Sequence, residues 1–188
     1  MERCYRCRRP SDHCWCRLCR PITTRTEIVI VQHGREAGHP FNSARILAAT
    51  LTRLRLITAW GAVPRPPELA TGTALLYPGP DAVPLDACDH PPERLVIIDG
   101  TWSHARIILR HNPWLAALPR VGLAPTRPSN YRIRLEPKPE CLSSVEATVA
   151  ALRLLEPDTA DLDHPLEVFN HMIDRQIDLR ADHERVSC

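Results

Sequence analysis

The chain reads as an α/β domain behind a short cysteine-rich knuckle, and three stretches carry that reading. Leu95 to Asp99 is an apolar run that stops at an acid, meets Gly100 and gives way to helical spacing at Trp102, Ala105, Ile108 and Leu109. Continuous apolar runs of this kind mark strands covered on both faces. Glu27 to Gln32 (EIVIVQ) repeats the pattern and is also followed by a helical face. Residues 4–19 hold five cysteines in sixteen positions, a segment too short to keep a shape by burial alone. At 188 residues and 44% hydrophobic, the chain can build one good core. We therefore expect a knuckle over residues 1–25 and one larger domain over 26–188.

In the knuckle, Cys4 and Cys7 are separated by two residues, while Cys14, Cys16 and Cys19 offer the other half of a tetrahedral zinc site. Spacing alone favours Cys4, Cys7, Cys16 and Cys19, two matching pairs. The charged N-terminus has no apolar signal-peptide core, and no stretch is long enough to cross a membrane, so a cytoplasmic protein without membrane contact is expected. In a reducing compartment, eight cysteines point to metal ligands rather than disulfides. Seven arginines up to Arg25 stand against Glu2 and Asp12, and a zinc tetrathiolate leaves this segment positive enough to meet phosphates.

Beyond the strand at Glu27 to Gln32, Gly34, Gly38 and Pro40 form a loop, Asn42 or Ser43 can cap, and Ala44, Leu47, Ala48, Leu51 and Leu54 make a helical face. Residues 61–73 are a proline-rich connector. Thr73 to Tyr77 is a strand broken by Pro78-Gly79-Pro80, where a glycine lets a ligand approach the backbone. Asp81 to Glu93 reads as a surface loop. The central helix ends before Pro113, with Trp114 and Leu118 as packing residues. Ser129 to Leu135 alternates, with Tyr131, Ile133 and Leu135 on one side and Asn130, Arg132 and Arg134 on the other, which predicts a half-buried strand with a basic edge. Ser143 and Glu146 fit a capping box opening a helix on Val145, Val149, Leu152 and Leu155. Asp163 to His183 is an amphipathic helix.

Function is expected where the central strand turns into its helix. Ligands of open α/β sheets sit outside the carboxyl ends of strands, and Asp99, Thr101, Trp102 and a helix start converge there. Charge supports the same region, because residues 94–134 carry seven arginines against Asp99 alone.

Asp99-Gly100-Thr101-Trp102, with Ala105-Arg106 and Asn112-Pro113 behind it, resembles the signature of the DTW-domain family, the tRNA-uridine aminocarboxypropyltransferases. Four more blocks follow that family's order: the cysteine cluster, His39-Pro40-Phe41-Asn42-Ser43-Ala44-Arg45, Leu75-Leu76-Tyr77-Pro78, and Ser129-Asn130-Tyr131-Arg132-Ile133-Arg134 with its following helix. The resemblance implies a SPOUT-like α/β domain with a C-terminal trefoil knot. It selects Cys4, Cys7, Cys14 and Cys16 as zinc ligands, with Cys19 and His13 as substitutes. It implies transfer of the 3-amino-3-carboxypropyl group of S-adenosylmethionine to N3 of a tRNA uridine. By the same resemblance, His33, Glu36, His39, Asn42, Ser43 and Arg45 face the substrate side.

The roles then expected are Asp99 as base or orienting acceptor, with Trp102 shaping the site or stacking on a base. Tyr77, Pro78, Gly79, Gly100, Thr101, Trp102, Leu142, Ser143 and Ser144 would hold the donor. Asn42, Ser43, Arg45, Arg132 and Arg134 would contact RNA. Two rival readings remain at this stage: an S-adenosylmethionine-dependent RNA methyltransferase, and a non-catalytic zinc-dependent RNA-binding module.

Overall fold

The computed structural model describes residues 2–66, 71–124, 128–133 and 141–186, with the side chains of 182–186 left aside. Six parallel strands form one sheet: β1 (Glu27–His33), β2 (Leu54–Ala59), β3 (Thr73–Leu76), β4 (Val83–Pro84), β5 (Arg94–Asp99) and β6 (Arg120–Gly122). Their order is β2-β1-β5-β3-β6-β4, so the two runs read most clearly as strands lie side by side near the centre. Gln32 at the end of β1 is in register with Asp99 at the end of β5.

Side chains alternate between the two faces of a strand. Ile28, Ile30, Leu95 and Ile97 therefore join one apolar cluster, and Val29, Val31 and Val96 join another. Helices α2 (Ala44–Thr50), α5 (Ser144–Leu155) and α6 (His164–Val186) contribute Leu47, Leu152, Phe169 and Met172 to the first cluster. Helices α3 (Trp102–His111) and α4 (Pro113–Ala116) contribute Ile108 and Leu115 to the second. Both faces are covered, which is why the central strands have no polar side. A short helix, α1 (Gly34–Ala37), follows β1.

The knuckle is docked on the first face. Cys7, Trp15 and Ile22 are buried in the same cluster as the sheet residues. Arg45 of α2 donates to the carbonyls of Cys7 (3.3 Å), His39 (3.0 Å) and Ala37, and Arg8 donates to Ala37 O (2.9 Å).

Several expectations are corrected. The helix beginning at Ala44 stops at Thr50, and Leu54 starts β2 instead. The cause lies in the backbone: Ile22 N donates to Thr50 O (2.7 Å) and Thr52 N to Ile22 O (3.0 Å), which diverts the chain from the helix. The connector before the central strand contains β4, and a buried Leu85 follows it. Residues 129–133 of the expected strand are not a strand. Asn130 N donates to Glu146 Oε1 (2.7 Å) and Ser129 Oγ to Glu146 Oε2 (2.6 Å), so this segment is tied to the α5 capping box rather than to a neighbouring strand. Arg134 and Leu135 lie outside the described residues. Among the described residues no helix is long and apolar enough to cross a membrane.

At the other end of α5, buried Glu156 accepts from Arg25 N (2.8 Å), Thr26 N (3.1 Å) and Thr159 Oγ1 (2.7 Å), fastening the segment that leads into β1. Burial alone would raise this carboxyl's pKa, but the hydrogen bonds outweigh it and hold the group below the ordinary Glu value. A folded pKa below the unfolded one stabilises the fold at neutral pH, and that contribution is lost as pH falls through the folded value. Glu156→Gln should cost about 1–3 kcal/mol at pH 7. Urea unfolding should show the gap from wild type shrinking on acidification below the ordinary Glu range.

Candidate active site

Asp99 ends the central strand, where Gly100 breaks β5 and Thr101 caps α3 by accepting from His104 N (3.2 Å). Its carboxylate is buried, and a buried charge is tolerable only with hydrogen-bond partners. Three donors supply them. Gln32 Nε2 and Asn42 Nδ2 each donate to Oδ2 at 2.8 Å, and Ser144 Oγ donates to Oδ1. A carboxylate offers roughly four acceptor positions, so three donors leave about one for a ligand. The Asn42 amide is fixed in turn, because its Oδ1 accepts from Gln32 Nε2 (3.0 Å) and from Arg45 N (3.2 Å) at the start of α2.

A pocket of about 670 Å³ opens beside Asp99, within the size range of small-molecule sites. Tyr77, Pro78, Gly100, Thr101 and Trp102 line it from the ends of β3 and β5, and Leu142, Ser143 and Ser144 line it from the start of α5. Asn42 and Ser43 also face it. Trp102 forms part of the wall: its ring stands edge-on to Tyr77 at 5.8 Å and its Nε1 donates to Cys141 Sγ (3.3 Å). Ser143 caps α5, and Glu146 accepts from both Ser143 Oγ (2.6 Å) and Ser143 N (2.9 Å), the capping box read from the sequence.

Most of the other residues named from the sequence stand elsewhere, although Glu36 reaches the lining. Gly79 lies outside the lining, and a Cβ there would approach Arg120 Nη1 at 3.1 Å, so its close neighbour is a side chain. Arg45 gives its guanidinium to three carbonyls, as above, and is a clamp on the knuckle. Arg132 is exposed, outside the lining, and donates to Asn130 Oδ1 (2.9 Å) and to Asp174 of α6. His39 accepts from Phe41 N (3.3 Å) in the loop before α2. His33 stacks on His104 at 3.8 Å, and Glu36 Oε1 lies 3.4 Å from His104 Nδ1 at the pocket edge. Burial, with the charges of His104 and Arg35, lowers the pKa of His33 and favours a neutral ring.

Sequence reasoning missed Gln32 as a site residue, although one polar side chain closing an apolar strand was a visible signal. It also missed the wall made by Val121, Gly122 and Leu123, because β6 is only three residues long.

Away from the pocket, the sulfurs of Cys4, Cys7, Cys14 and Cys16 all lie within 4.8 Å of one another. Cys4 and Cys16 are 3.8 Å apart, and Cys7 and Cys14 are 3.7 Å apart. Metal–sulfur bonds near 2.3 Å in a tetrahedron put sulfurs about 3.8 Å from each other, so the four thiols fit one ion. Cys19 Sγ instead lies 3.9 Å from Trp15 O.

A DTW domain family model matches residues 1–177. The chain belongs to the DTW family. Among curated proteins, this DTW chain is 35% identical over 167 residues to tRNA-uridine aminocarboxypropyltransferase 2 of Macaca fascicularis, covering 81% of itself and 56% of that protein. It is 35% identical over 168 residues to the Drosophila melanogaster protein of the same name, covering 82% of itself and 67% of the relative. It is 28% identical over 200 residues to tRNA-uridine aminocarboxypropyltransferase A of Arabidopsis thaliana, covering 87% and 76%. The chain thus spans little more than half the length of the macaque relative it matches. No solved structure matches the DTW chain.

The sulfur geometry separates two ligand sets. Cys14→Ser should abolish stoichiometric metal in the purified protein and Cys19→Ser should keep it, as read by elemental analysis.

Proposed function

We propose that this protein transfers the 3-amino-3-carboxypropyl group of S-adenosylmethionine to N3 of a tRNA uridine, with methylthioadenosine as the leaving product. The observation that carries the reading is the Asp99 carboxylate, held by three donors beside a pocket of small-molecule size. The sulfonium donor, when bound, supplies an activated methylene carbon and a neutral thioether leaving group. A new N3–C bond forms as the C–S bond breaks, its electron pair going to sulfur.

What this chain supplies is alignment and an acceptor for the N3 proton. Asp99 is the catalytic residue, taking that proton or holding the N3–H in line. Gln32, Asn42 and Ser144 are positioning residues that fix the carboxylate. Trp102 and Tyr77 form the aromatic wall for the nucleoside, and the backbone at Pro78, Gly100, Thr101, Leu142 and Ser143 surrounds it. The names of the relatives and the match of the DTW domain support tRNA as acceptor. Arg132, which stands outside the pocket, is kept as a phosphate contact, and so is Arg134.

The four-thiol cluster is a structural zinc site in this reading, held by Cys4, Cys7, Cys14 and Cys16, where the metal would stabilise the knuckle and take no part in transfer. We place the protein in the cytoplasm, a reducing compartment in which clustered thiols serve as metal ligands. The knotted SPOUT-like arrangement is part of the same proposal. The parallel sheet covered by helices on both faces supports the α/β part of it.

The test is incubation with unmodified tRNA and donor labelled in its aminocarboxypropyl part, followed by nucleoside mass spectrometry. The labelled group should appear on uridine, with release of methylthioadenosine. Asp99→Ala should lower the rate by about 10²- to 10⁴-fold, the usual contribution of a general acid or base. A methylated product would move the protein to the methyltransferase reading. Binding without any product would make it a binding module.

A further inference from the structure

The carboxyl end of the sheet carries one large side chain that the pocket does not use. Trp60, immediately after β2, is 73% exposed. An indole this open gains little from burial, yet this one is held in place. A Cβ on Gly34 would fall 2.1 Å from Trp60 Cε2 and 2.2 Å from Cδ2, so the ring rests on that glycine and only a residue without a side chain fits beneath it. The chain just beyond is also pinned. Buried Asn112 donates from Nδ2 to Gly61 O (3.2 Å) and accepts at Oδ1 from Val63 N (2.7 Å), while Trp114 Nε1 donates to Val63 O (3.1 Å). The indole is a platform with a fixed seat and an open surface.

Its place relative to Asp99 follows from the sheet. His33 pairs with Ala59 and Gln32 pairs with both Thr58 and Asp99, so Trp60 stands two strands across from Asp99, about 10 Å laterally at the usual strand spacing, and two residues further along the strand direction. Rings span that gap. His33 lies 6.3 Å from Trp60 and stacks on His104, whose Cβ would be 2.8 Å from a Cβ on Gly100, the neighbour of Asp99. The exposed Arg35 follows Gly34 on α1 and adds a positive charge beside the platform.

The geometry points to Trp60 as a stacking site for a nucleobase of the RNA substrate, a few nucleotides from the reacting uridine; this rests on the preceding reading that RNA is the acceptor. A gap of this size is within reach of a short stretch of single-stranded RNA whose bases are unstacked. Single-stranded RNA is held by splayed bases on aromatic faces, with basic groups tracking the backbone. Asn112 and Gly34 are then positioning residues for recognition.

The test is direct binding of unmodified tRNA to the full chain, followed by fluorescence anisotropy of labelled tRNA. Trp60→Ala should weaken binding roughly 5- to 100-fold, the range for loss of one base–aromatic stack, and Trp60→Phe should keep most of the affinity. Gly34→Ala leaves every aromatic ring present but removes the seat, and should weaken binding in parallel. Donor affinity, measured by calorimetry with S-adenosylmethionine, should stay unchanged in all three. Wild-type affinity for tRNA in Trp60→Ala overturns the inference, and does so whether or not the protein transfers the group. A wild-type protein that binds no tRNA overturns both the inference and the reading beneath it. A change in oligomeric mass in Trp60→Ala with tRNA binding intact also overturns it, and assigns the indole to self-association.

Discussion

A carboxylate at the end of a buried parallel strand must be hydrogen-bonded, and the architecture around Asp99 follows from that requirement. Its three donors come from separate parts of the chain: Gln32 ends the neighbouring strand, Asn42 precedes α2, and Ser144 opens α5. Meeting the needs of one acid thus fixes the adjacent strand end and two helix starts together. Asn42 shows the economy of this arrangement, since one amide orients Asp99, accepts from Gln32 and accepts from Arg45 N at the start of α2. Such networks are strong when complete and costly when broken, which makes the site and the fold hard to separate energetically.

The same sharing extends to the cysteine cluster. Arg45 belongs to the block that follows β1, and its guanidinium reaches Cys7 O beside the four sulfurs. Buried Arg9 lies over the Phe41 ring at 4.4 Å and donates to Gln176 of α6 (3.3 Å). Tyr131, buried against Phe169 at 5.2 Å, donates to Phe41 O. Phe41 is thus gripped from the knuckle side and from the loop before α5, and it immediately precedes Asn42. Metal-dependent order in the knuckle would reach the Asp99 network through this short path.

Much of the arrangement was legible in the sequence because strong local signals agreed with tertiary needs. The central strand, its turn and its helix were readable from apolar runs ended by Asp99, Gly100 and Pro113. The α5 capping box was readable because Ser143 and Glu146 satisfy each other locally. Elsewhere the deciding partner was distant. Leu54 fits the helical face begun at Ala44, and only the pairing of Ile22 with residues 50–52 ends that helix in time for β2. Ser129 to Ile133 alternates like a strand, yet its partners are the Glu146 carboxylate and an α6 side chain. Strands as short as β4 and β6 have no period to read, so the pocket wall at Val121 to Leu123 was invisible. Basic residues were easy to count and hard to place: Arg45 and Arg132 make intramolecular contacts outside the pocket.

The central claim is spatial: one acceptor position of Asp99 faces the reacting uridine while the others stay engaged. It is tested most directly by a crystal structure with methylthioadenosine and a uridine oligonucleotide bound together. The account predicts uridine N3 within hydrogen-bond distance of the Asp99 carboxylate, with Gln32, Asn42 and Ser144 still donating to it. A nucleoside bound in the pocket with its base turned away from Asp99, or bound on the opposite edge of the sheet, would contradict the account.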